Sequence, residues 1–503
     1  MERRRFLSST FASCASFGLG AVALAGHARA DQGTLRRFHA ALARDPSLAV
    51  YADTVGSQAG AAAITGRIPE DLQGSFYRNG PGRFELGGER YHHWFDGDGF
   101  VQRWTIAGGK VRHQGRFVET RRYLDETQAG RFLYPAFGTY VARRGFRDND
   151  TLNAANTNLV PLDGRLYALW EGGSAYEVDP ETLATRGVKT WRDDLRAMPF
   201  SAHPKLDPQG GMWNFGALPG SNRIALYQIG ADGAVLRTGL IEVPRQALVH
   251  DFVVSAKHLI FLVPPYDLED GAELSFAERH VWAGSGPQAR PMRVVVVAKD
   301  TLQVRQVFEL PPRMVFHFGN AWEDGACTRF DTVLHEGDVL RDLGSLMAGE
   351  QRVNDEARSE AVQVCLDYDR RQARVSRLFG PSEFPRVSPR VVGSRHRRLV
   401  LLGSDRHKSS ARLDTVNLID TDSGKVDRYF FGDGWQVEEH VLVPRRDARS
   451  ETDGYLVGVA QDLRKGVGVL TVFDAARVSA GPLALATLPY RTPHCFHGNF
   501  LSA

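Results

Sequence analysis

The chain ends in the stretch Thr492-Pro493-His494-Cys495-Phe496-His497-Gly498-Asn499-Phe500, which places a histidine six residues before the C-terminus. Because this histidine lies so close to the C-terminus, the chain is expected to close on itself, with a final strand that completes a ring. A closed β architecture is therefore the first expectation. His497 is a candidate functional residue at the point of closure.

A repeated local pattern supports a closed β architecture. A strand ends on an acidic residue, a polar turn follows, and a second strand runs back, at residues 176–183, 297–302, 365–370, 418–424, 472–477 and, more loosely, 229–233. Aspartate suits these turns because its side chain can accept hydrogen bonds from the turn's own backbone. Hairpins spaced along the whole length indicate an all-β fold built by radial repetition, a β-propeller. Two stacked β-sandwich domains are the structural alternative.

The first 30 residues are typical of an export signal. Arg3, Arg4 and Arg5 precede Phe-Leu, a mostly apolar run covers residues 11–26, and residues 28–30 form a small-x-small cleavage site. This pattern predicts a twin-arginine signal peptide over residues 1–30 and a periplasmic protein. A membrane anchor is the alternative, but the run is shorter than the roughly 20 residues needed to span a bilayer.

The remaining chain, residues 31–503, is expected to form a single domain, because no long Pro/Ser/Gly linker or charge block divides it. Residues 31–60 begin with a short helical pattern. Two stretches, about 122–150 and 267–288, lack strand alternation. In a propeller such insertions tend to lie on one face and cover a site.

Charge and cysteine content exclude several classes of protein. Without residues 1–30 the chain carries 58 basic and 58 acidic residues, so no nucleic-acid partner is indicated. A local basic cluster is interpreted as a solvated face: Arg386, Arg390, Arg395, Arg397 and Arg398. Cys327, Cys365 and Cys495 remain after the signal, and their odd number and wide spacing argue against a disulfide framework and a cysteine-based zinc site.

Four of the 16 histidines lie in dense apolar or small-residue contexts: His203, His250, His317 and His497. For one such histidine, a buried ring bonded to the backbone is the simpler interpretation. Four of them in different β units favour a shared site, because the inner strands of a propeller converge on its axis. An all-imidazole set suits iron, copper, zinc or nickel. The sequence thus indicates one metal ion, with His497 as its fourth ligand.

Other histidines are weaker candidates. Adjacent strand residues point to opposite faces, so His92 and His93 cannot both bind one metal from a regular strand. His440 adjoins two glutamates, and His494 is expected to support the site or the fold without binding the metal.

Several motifs in a fixed order carry a resemblance that covers nearly the whole chain after residue 30. They are Gly74-Ser75-Phe76-Tyr77-Arg78-Asn79-Gly80-Pro81-Gly82, Tyr91-His92-His93-Trp94-Phe95-Asp96-Gly97-Asp98-Gly99, Asn156-Thr157-Asn158, Leu169-Trp170-Glu171-Gly172-Gly173, Glu383-Phe384-Pro385-Arg386 and Glu439-His440-Val441-Leu442-Val443-Pro444. Together with the four histidine contexts, they resemble the carotenoid cleavage oxygenase family of carotenoid, apocarotenoid and stilbene oxygenases. The chain looks like a bacterial exported member.

The resemblance implies a seven-bladed β-propeller with loop and helix insertions covering the metal face. It implies one Fe(II) per chain, held by the four histidines. It also implies three carboxylates that accept the other ring N–H of His250, His317 and His497, respectively Glu171, Glu383 and Glu439. For the last of these, the neighbouring Glu438 is an alternative. Thr157 matches a family threonine whose methyl group approaches one open position of the iron and limits access there to O2.

The implied activity is that of a non-haem Fe(II) dioxygenase. Such an enzyme uses O2 to cleave a conjugated carbon–carbon double bond of a carotenoid or apocarotenoid into two carbonyl products. The expected partners are O2 and an apolar polyene taken from a membrane, through an apolar patch at the mouth of the substrate tunnel. The alternatives are a stilbene-cleaving oxygenase, a non-catalytic binding propeller that holds a metal, and a metal-dependent lactonase or esterase propeller.

Overall fold

The structure is a computed structural model that describes residues 29–54, 56–208, 210–218, 220–243, 248–271, 273–347, 359–404 and 413–503. The expected signal peptide lies outside the described residues except for Arg29 and Ala30. Ala30 is buried in a small apolar cluster that includes Tyr91 and Phe132. Within the described ranges, no helix is both long enough and apolar enough to cross a membrane.

Strands dominate the chain, and the helices are short. The strands before residue 190 are β1 (Gln58–Ala61), β2 (Ala63–Gly66), β3 (Gly74–Arg83), β4 (Glu85–Leu86), β5 (Glu89–Arg90), β6 (Asp98–Ala107), β7 (Lys110–Phe117), β8 (Asn158–Leu162), β9 (Arg165–Leu169), β10 (Ala175–Val178) and β11 (Thr185–Lys189). Those of the middle are β12 (Lys205–Leu206), β13 (Met212–Ala217), β14 (Arg223–Ile229), β15 (Val235–Glu242), β16 (Val253–Val254), β17 (His258–Val263), β18 (Tyr266–Leu268), β19 (His280–Trp282), β20 (Met292–Ala298), β21 (Gln303–Leu310), β22 (Met314–Asp324) and β23 (Cys327–His335).

The last strands are β24 (Ser359–Asp367), β25 (Gln372–Phe379), β26 (Ser382–Arg386), β27 (Arg398–Gly403), β28 (Thr415–Asp420), β29 (Val426–Phe430), β30 (Trp435–Pro444), β31 (Gly454–Asp462), β32 (Val467–Asp474), β33 (Ala484–Thr487) and β34 (His497–Ser502). Within the described residues, the α-helices are α1 (Gln32–Arg44), α2 (Arg121–Ala129), α3 (Phe276–Arg279) and α4 (Val339–Met347). Short 3₁₀ helices cover Pro46–Tyr51, Trp94–Asp96, Asn149–Leu152, Asp193–Leu195, Pro389–Val391 and Val478–Ala480.

In the described part of the chain, seven sheets of four or five strands form the blades. Blade 1 has the order β34-β3-β6-β7-β1, blade 2 β8-β9-β10-β11, blade 3 β12-β13-β14-β15, blade 4 β16-β17-β20-β21, blade 5 β22-β23-β24-β25, blade 6 β26-β27-β28-β29 and blade 7 β30-β31-β32-β33-β2. First strands contact first strands of other blades, as β34 contacts β8 and β30, and β26 contacts β22 and β30. The first strands therefore converge on a common axis. The predicted seven-bladed propeller is confirmed, and the two-sandwich alternative is wrong.

Both ends of the described chain take part in closing the ring. The last strand, β34, pairs antiparallel with β3, with His497 opposite Asn79 and Ser502 opposite Gly74. Near the other end, β1 pairs with β7 at the outer edge of blade 1, and β2 pairs with β33 at the outer edge of blade 7. The final strand thus completes blade 1 at its inner edge, as the closing stretch predicts.

The sequence explains both the strands and their turns. β20 reads Met-Arg-Val-Val-Val-Val-Ala and is buried on both faces, because apolar side chains of its sheet pack against neighbouring blades on either side. The aspartate turns form as expected, since Asp179, Asp232, Asp420 and Asp474 each accept a hydrogen bond from the backbone N–H two residues later.

Three insertions meet over one face of the propeller. The first contains α2, the second contains β18, α3 and β19, and the third contains α4. The N–H of Ala277 in the second donates to the carbonyl of Phe137 in the first, at 2.8 Å. α3 also contacts α4. The expected N-terminal helix is α1, which packs on β5.

Candidate metal centre

The first strands of the blades and the segments that lead into them carry the four predicted histidines. His203 precedes β12, His250 precedes β16, His317 lies within β22, and His497 begins β34. One ring nitrogen from each histidine lies within 4.8 Å of the others. His250 Nε2 is 2.9 Å from His203 Nε2 and 3.3 Å from His317 Nε2. Two nitrogens bound at right angles to one ion, each about 2.1 Å from it, would be about 3.0 Å apart. The donor set therefore fits a single metal ion.

Register shifts occur in three of the first strands, next to residues of the site. The pairing of β22 shifts register between Val315 and Phe318, around His317. β30 shifts between Val437 and His440, and β26 between Glu383 and Arg386. Such bulges are common beside functional sites because they re-aim individual side chains. Here one bulge lies at a predicted ligand, His317, and the other two lie at the carboxylates Glu383 and Glu439.

Burial keeps two of the four imidazoles, His203 and His497, neutral, the form in which histidine binds a metal. Burial, followed by the neighbouring imidazoles, holds the pKa of His203 well below its ordinary value. Burial also lowers the pKa of His497 to about 3, against the opposing charge of Glu439. At neutral pH these two rings are therefore available as ligands.

A carboxylate lies against the outer nitrogen of three of the rings. Glu171 Oε1 is 2.5 Å from His250 Nδ1, and Glu383 Oε2 is 2.6 Å from His317 Nδ1. Glu439 Oε1 is 3.0 Å from His497 Nδ1. Each pair fixes the proton on Nδ1 and leaves the lone pair of Nε2 directed at the cluster. Among the described residues, no carboxylate is found against His203.

The structure distinguishes the roles of Glu439 and Glu438, the two candidate partners of His497. Glu438 accepts hydrogen bonds from Arg78 Nη2 at 2.9 Å, from Gln461 at 2.8 Å and from the N–H of Cys495 at 3.2 Å. Glu439 Oε2 accepts from Arg78 Nη1 at 3.2 Å, while its Oε1 contacts His497. Burial alone would raise the pKa of Glu439, but Arg386, His497 and Arg78 lower it below its ordinary value. Glu439 is thus the anionic partner of His497.

The other candidate histidines named from the sequence lie outside the group of four. His93 is buried with Nε2 3.2 Å from the carbonyl of Leu340, and His92 Nε2 is 2.7 Å from Thr34 Oγ1. His440 Nε2 is 2.7 Å from Thr471 Oγ1. His494 stacks on Trp94 with ring centroids 4.8 Å apart. Its Nδ1 is 3.5 Å from Glu438 Oε1, which places it behind the site.

Thr157 lies in the turn immediately before β8 and is buried. Its hydroxyl donates to Asn156 Oδ1 at 3.0 Å. Asn156 in turn donates to the carbonyls of Phe95 and Gly97 at 2.9 and 2.7 Å. The hydroxyl of Thr157 is therefore engaged within the turn.

One residue of the basic cluster is not on a solvated face. Arg386 Nη1 is 3.6 Å from Glu439 Oε1, and Nη2 donates to the carbonyl of Gly498 at 3.1 Å and to Asn499 Oδ1 at 3.0 Å. The solvated-face interpretation is wrong for Arg386 because the bulge in β26 turns its side chain toward the last strand. Arg395 and Arg397 do lie on an exposed face, where they pair with the exposed Asp422 and the buried Asp420, respectively.

Residues without a predicted role also shape the site. Arg78 is fully buried and bridges Glu438 and Glu439. Asn158 donates to the carbonyl of Ala202, next to His203, and its Oδ1 accepts from Asn499 on the last strand. His335 Nε2 lies 2.7 Å from Glu383 Oε1. Arg78 and Asn158 lie inside motifs that carry the family resemblance, which is the signal that could have identified them.

Comparison with known proteins agrees with this geometry. Residues 53–502 match the model of the family described as retinal pigment epithelial membrane protein. The apocarotenoid-15,15'-oxygenase of Synechocystis is 31% identical over 469 residues, covering 87% of this chain and 92% of the relative. The chain belongs to the carotenoid cleavage oxygenases. Lignostilbene-alpha,beta-dioxygenase isozyme III of Sphingomonas paucimobilis is 28% identical, over 88% of this chain and 93% of the relative.

Solved structures of this family share the fold. Cobalt-substituted Synechocystis apocarotenoid oxygenase superposes with a TM-score of 0.81 at 26% identity, covering 91% of this chain and 98% of the other. The chain is accordingly an oxygenase, an oxidoreductase, with a cluster of four histidines that can bind a metal. Family membership also rules out the lactonase or esterase interpretation.

Proposed function

We propose that the protein is a non-haem Fe(II) dioxygenase that cleaves a conjugated carbon–carbon double bond of a carotenoid or apocarotenoid with O2, giving two carbonyl products. The observation that carries the proposal is the cluster of four imidazoles, three of them backed by a carboxylate. The 31% identity to an apocarotenoid oxygenase supports the choice of substrate class.

His203, His250, His317 and His497 would hold one Fe(II) per chain. Bound iron would supply the centre at which O2 is activated, with open coordination positions left beside four neutral ligands. Glu171, Glu383 and Glu439 set the tautomer and orientation of three of the rings. The binding-propeller alternative shares the cluster but requires no O2 consumption.

A line of phenylalanines supports an apolar, extended substrate. Phe316 contacts His250 with ring centroids 5.7 Å apart. Phe95 lies 6.1 Å from Phe316 and 5.3 Å from Phe137, and Phe137 lies 5.3 Å from Phe276. Phe276 is 41% exposed, so ring contacts run from a proposed ligand to the surface of the insertions. These rings offer apolar contact and no hydrogen bond, which suits a polyene.

The histidine beside this line is uncharged. His93 lies 4.6 Å from Phe95 and 5.1 Å from Phe137, between centroids. Burial lowers the pKa of His93 to about 4, so its ring is neutral at physiological pH. We propose that the line of phenylalanines binds the polyene and excludes water. We also propose that Thr157 would border one open coordination position of the bound metal and limit access there to O2.

A stilbene is the second candidate substrate, because two of the similar proteins are a lignostilbene dioxygenase and an isoeugenol monooxygenase at 27–28% identity. A hydroxystilbene presents a phenol that needs a hydrogen-bond partner when buried. The side chains in the line of phenylalanines have no hydrogen-bonding group. The polyene is therefore preferred.

The test is to incubate the iron-loaded protein with an apocarotenal or a hydroxystilbene and to follow the loss of each chromophore together with O2 uptake. The proposal predicts loss of the apocarotenal with uptake of O2, and little change in the stilbene. His317→Ala is the matched control without a complete ligand set. Loss of only the stilbene would establish the second candidate, and no O2 uptake with either would favour the binding propeller.

We also propose export to the periplasm by the twin-arginine pattern at residues 1–30 and a peripheral contact with membrane. Exposed apolar residues occur on the insertions: Leu124, Phe146, Phe276 and Val281. Cell fractionation of the full chain and of an Arg4→Lys/Arg5→Lys variant tests the export. Equal periplasmic recovery of both proteins would contradict the twin-arginine route.

A further inference from the structure

Phe384 adopts an uncommon backbone conformation beside the metal centre. Its φ is 55°, in the left-handed region that bulky residues rarely occupy. It lies in the bulge of β26, where the pairing with β27 shifts register between Glu383 and Arg386. A strained residue of this kind persists only where its surroundings determine its conformation. The contacts of Phe384 show what those surroundings are.

The side chain of Phe384 contacts two of the four imidazoles. Its ring stacks on His317, with centroids 5.1 Å apart and planes inclined by 26°. The same ring lies 5.4 Å from His497, inclined by 53°. The N–H of Phe384 donates at 2.5 Å to Glu383 Oε2, the oxygen that also contacts His317 Nδ1. Backbone and side chain of one residue thus act on the same proposed ligand.

Arg386, two residues later, contacts the surroundings of His497. Its guanidinium lies 3.6 Å from Glu439 Oε1, the oxygen that contacts His497 Nδ1. It also donates to the carbonyl of Gly498 and to Asn499 Oδ1 on the last strand. The segment 383–386 therefore contacts an imidazole of blade 5 and an imidazole of blade 1 together with the carboxylate partners of both.

We propose that residues 383–386 form a bracket that fixes His317 and His497 relative to each other, with Phe384 and Arg386 as positioning residues. This inference rests on the proposed metal centre. The two imidazoles come from strands that do not pair with each other, and each has its own carboxylate partner, so neither contact fixes one ring relative to the other. The aromatic ring of Phe384 contacts both imidazole rings and so limits their relative movement. Arg386 holds the carboxylate and the strand of His497.

The bracket also explains why a bulky residue occupies a strained position. Glycine would adopt the same φ without strain, yet it would remove the ring that both imidazoles contact. Leucine would keep the side-chain bulk and the strain but would lose the flat aromatic face. Tyrosine would keep that face. These three substitutions therefore separate the roles of backbone and ring.

The experiment uses cobalt(II) as the probe, since its visible absorption reports the number and geometry of its ligands. The wild type, Phe384→Tyr, Phe384→Leu and Phe384→Gly proteins are loaded with one equivalent of cobalt. Absorption and the rate of cobalt loss to excess chelator are then measured. We expect the tyrosine variant to match the wild type. We expect the leucine and glycine variants to lose cobalt about tenfold faster, with an altered spectrum, as for other residues that orient metal ligands.

Arg386→Gln tests the bracket independently of Phe384, and Arg390→Gln is its matched control. Arg390 is a neighbouring arginine that donates to the carbonyl of Ala448, away from the four histidines. Arg386→Gln is expected to lose cobalt faster, and Arg390→Gln to behave as wild type. Thermal unfolding of each metal-free variant establishes that it is folded. If Phe384→Gly does not fold, Phe384→Leu and Arg386→Gln still decide the outcome.

Failure of the bracket and failure of the metal centre would give different results. Folded leucine and glutamine variants with wild-type spectra and wild-type rates of cobalt loss would overturn the bracket and leave the metal centre intact. A wild-type protein that binds no cobalt would overturn both the metal centre and the bracket.

Discussion

At the scale of single residues, the protonation and orientation of each imidazole depend on the group behind it. Glu439 is buried, contacts His497 Nδ1 at 3.0 Å and accepts from the N–H of Gly498 at 3.0 Å. Its second oxygen also accepts from Arg78. The carboxylate is thus fixed on both sides, and it can hold His497 in one tautomer.

We expect Glu439→Gln to weaken metal binding by about 10–100-fold, because an amide no longer holds the proton on His497 Nδ1 as a carboxylate does. Glu438→Gln is the matched control: it changes the adjacent residue, which contacts Arg78 and Gln461. Glu438→Gln should change the free energy of unfolding and leave the metal affinity unchanged. Competition titration with a chelator measures both affinities. Equal losses of affinity would contradict the assignment of Glu439.

Arg78 is the counter-charge of this pair of glutamates. Its side chain is fully buried, and it contacts Glu438 at 2.9 Å and Glu439 at 3.2 Å. Arg78→Met removes the buried cation of Glu438 and leaves Glu439 with only the more distant Arg386, so we expect the free energy of unfolding to fall by about 3–5 kcal/mol. Arg116→Met removes the arginine of the exposed Arg116–Glu119 pair and should cost about 0–1 kcal/mol. Urea unfolding measures both; similar losses would argue against a structural role for Arg78.

At the scale of elements, the last strand both closes the propeller and supplies His497 to the site. β34 begins at His497 and pairs with β3 from Asn79 to Gly74. Phe496 and Trp94 pack in one apolar cluster with Phe38 of α1 and with the 3₁₀ helix that follows it. The first described helix therefore shares an apolar cluster with the residue directly before His497 and the last strand.

Deleting residues 497–503 should abolish metal binding, because it removes a ligand and the inner strand of blade 1. Deleting residues 501–503 is the control, since it retains His497 and Asn499 and removes only the outer end of the strand, where Leu501 is 44% exposed. Metal content after gel filtration compares the two deletions. Bound metal in the longer deletion would show that His497 is not a ligand.

The insertions are the elements expected to meet a membrane. Phe276 on α3 is 41% exposed and ends the line of phenylalanines. Phe276→Asp should reduce co-flotation with phospholipid vesicles by about tenfold or more, since inserting a phenylalanine side chain is worth about 1.5–3 kcal/mol. Leu236→Asp is the control, an exposed apolar residue (57%) on the outer strand β15. Equal flotation of the two variants would contradict membrane contact through α3.

At the scale of the whole molecule, the sequence predicted the architecture and the four histidines but not the finer geometry. Hairpins with aspartate turns identified a propeller, because the period of two and the turn chemistry are local properties. His203, His250, His317 and His497 stood out because an imidazole among apolar residues needs a partner.

Features that depend on bulges and long-range pairing could not be predicted from the sequence. The bulge in β30 lies at Glu438 and Glu439, so simple strand alternation could not decide between them. The bulge in β26 turned Arg386 inward, contrary to its interpretation as solvated. The number of blades came from the family resemblance and not from the spacing of the hairpins. Chain closure through both β1 and β2 has no local pattern in the sequence.

The propeller as a whole explains how residues 203, 250, 317 and 497 reach one point, since each comes from a different blade. We propose that these four imidazoles hold one iron on the axis. Anomalous diffraction from crystals of the iron-loaded protein, recorded on both sides of the iron absorption edge, would locate the iron. We predict a single iron peak about 2.1 Å from the four Nε2 atoms. No peak among the four rings, or an iron peak elsewhere in the chain, would contradict the claim.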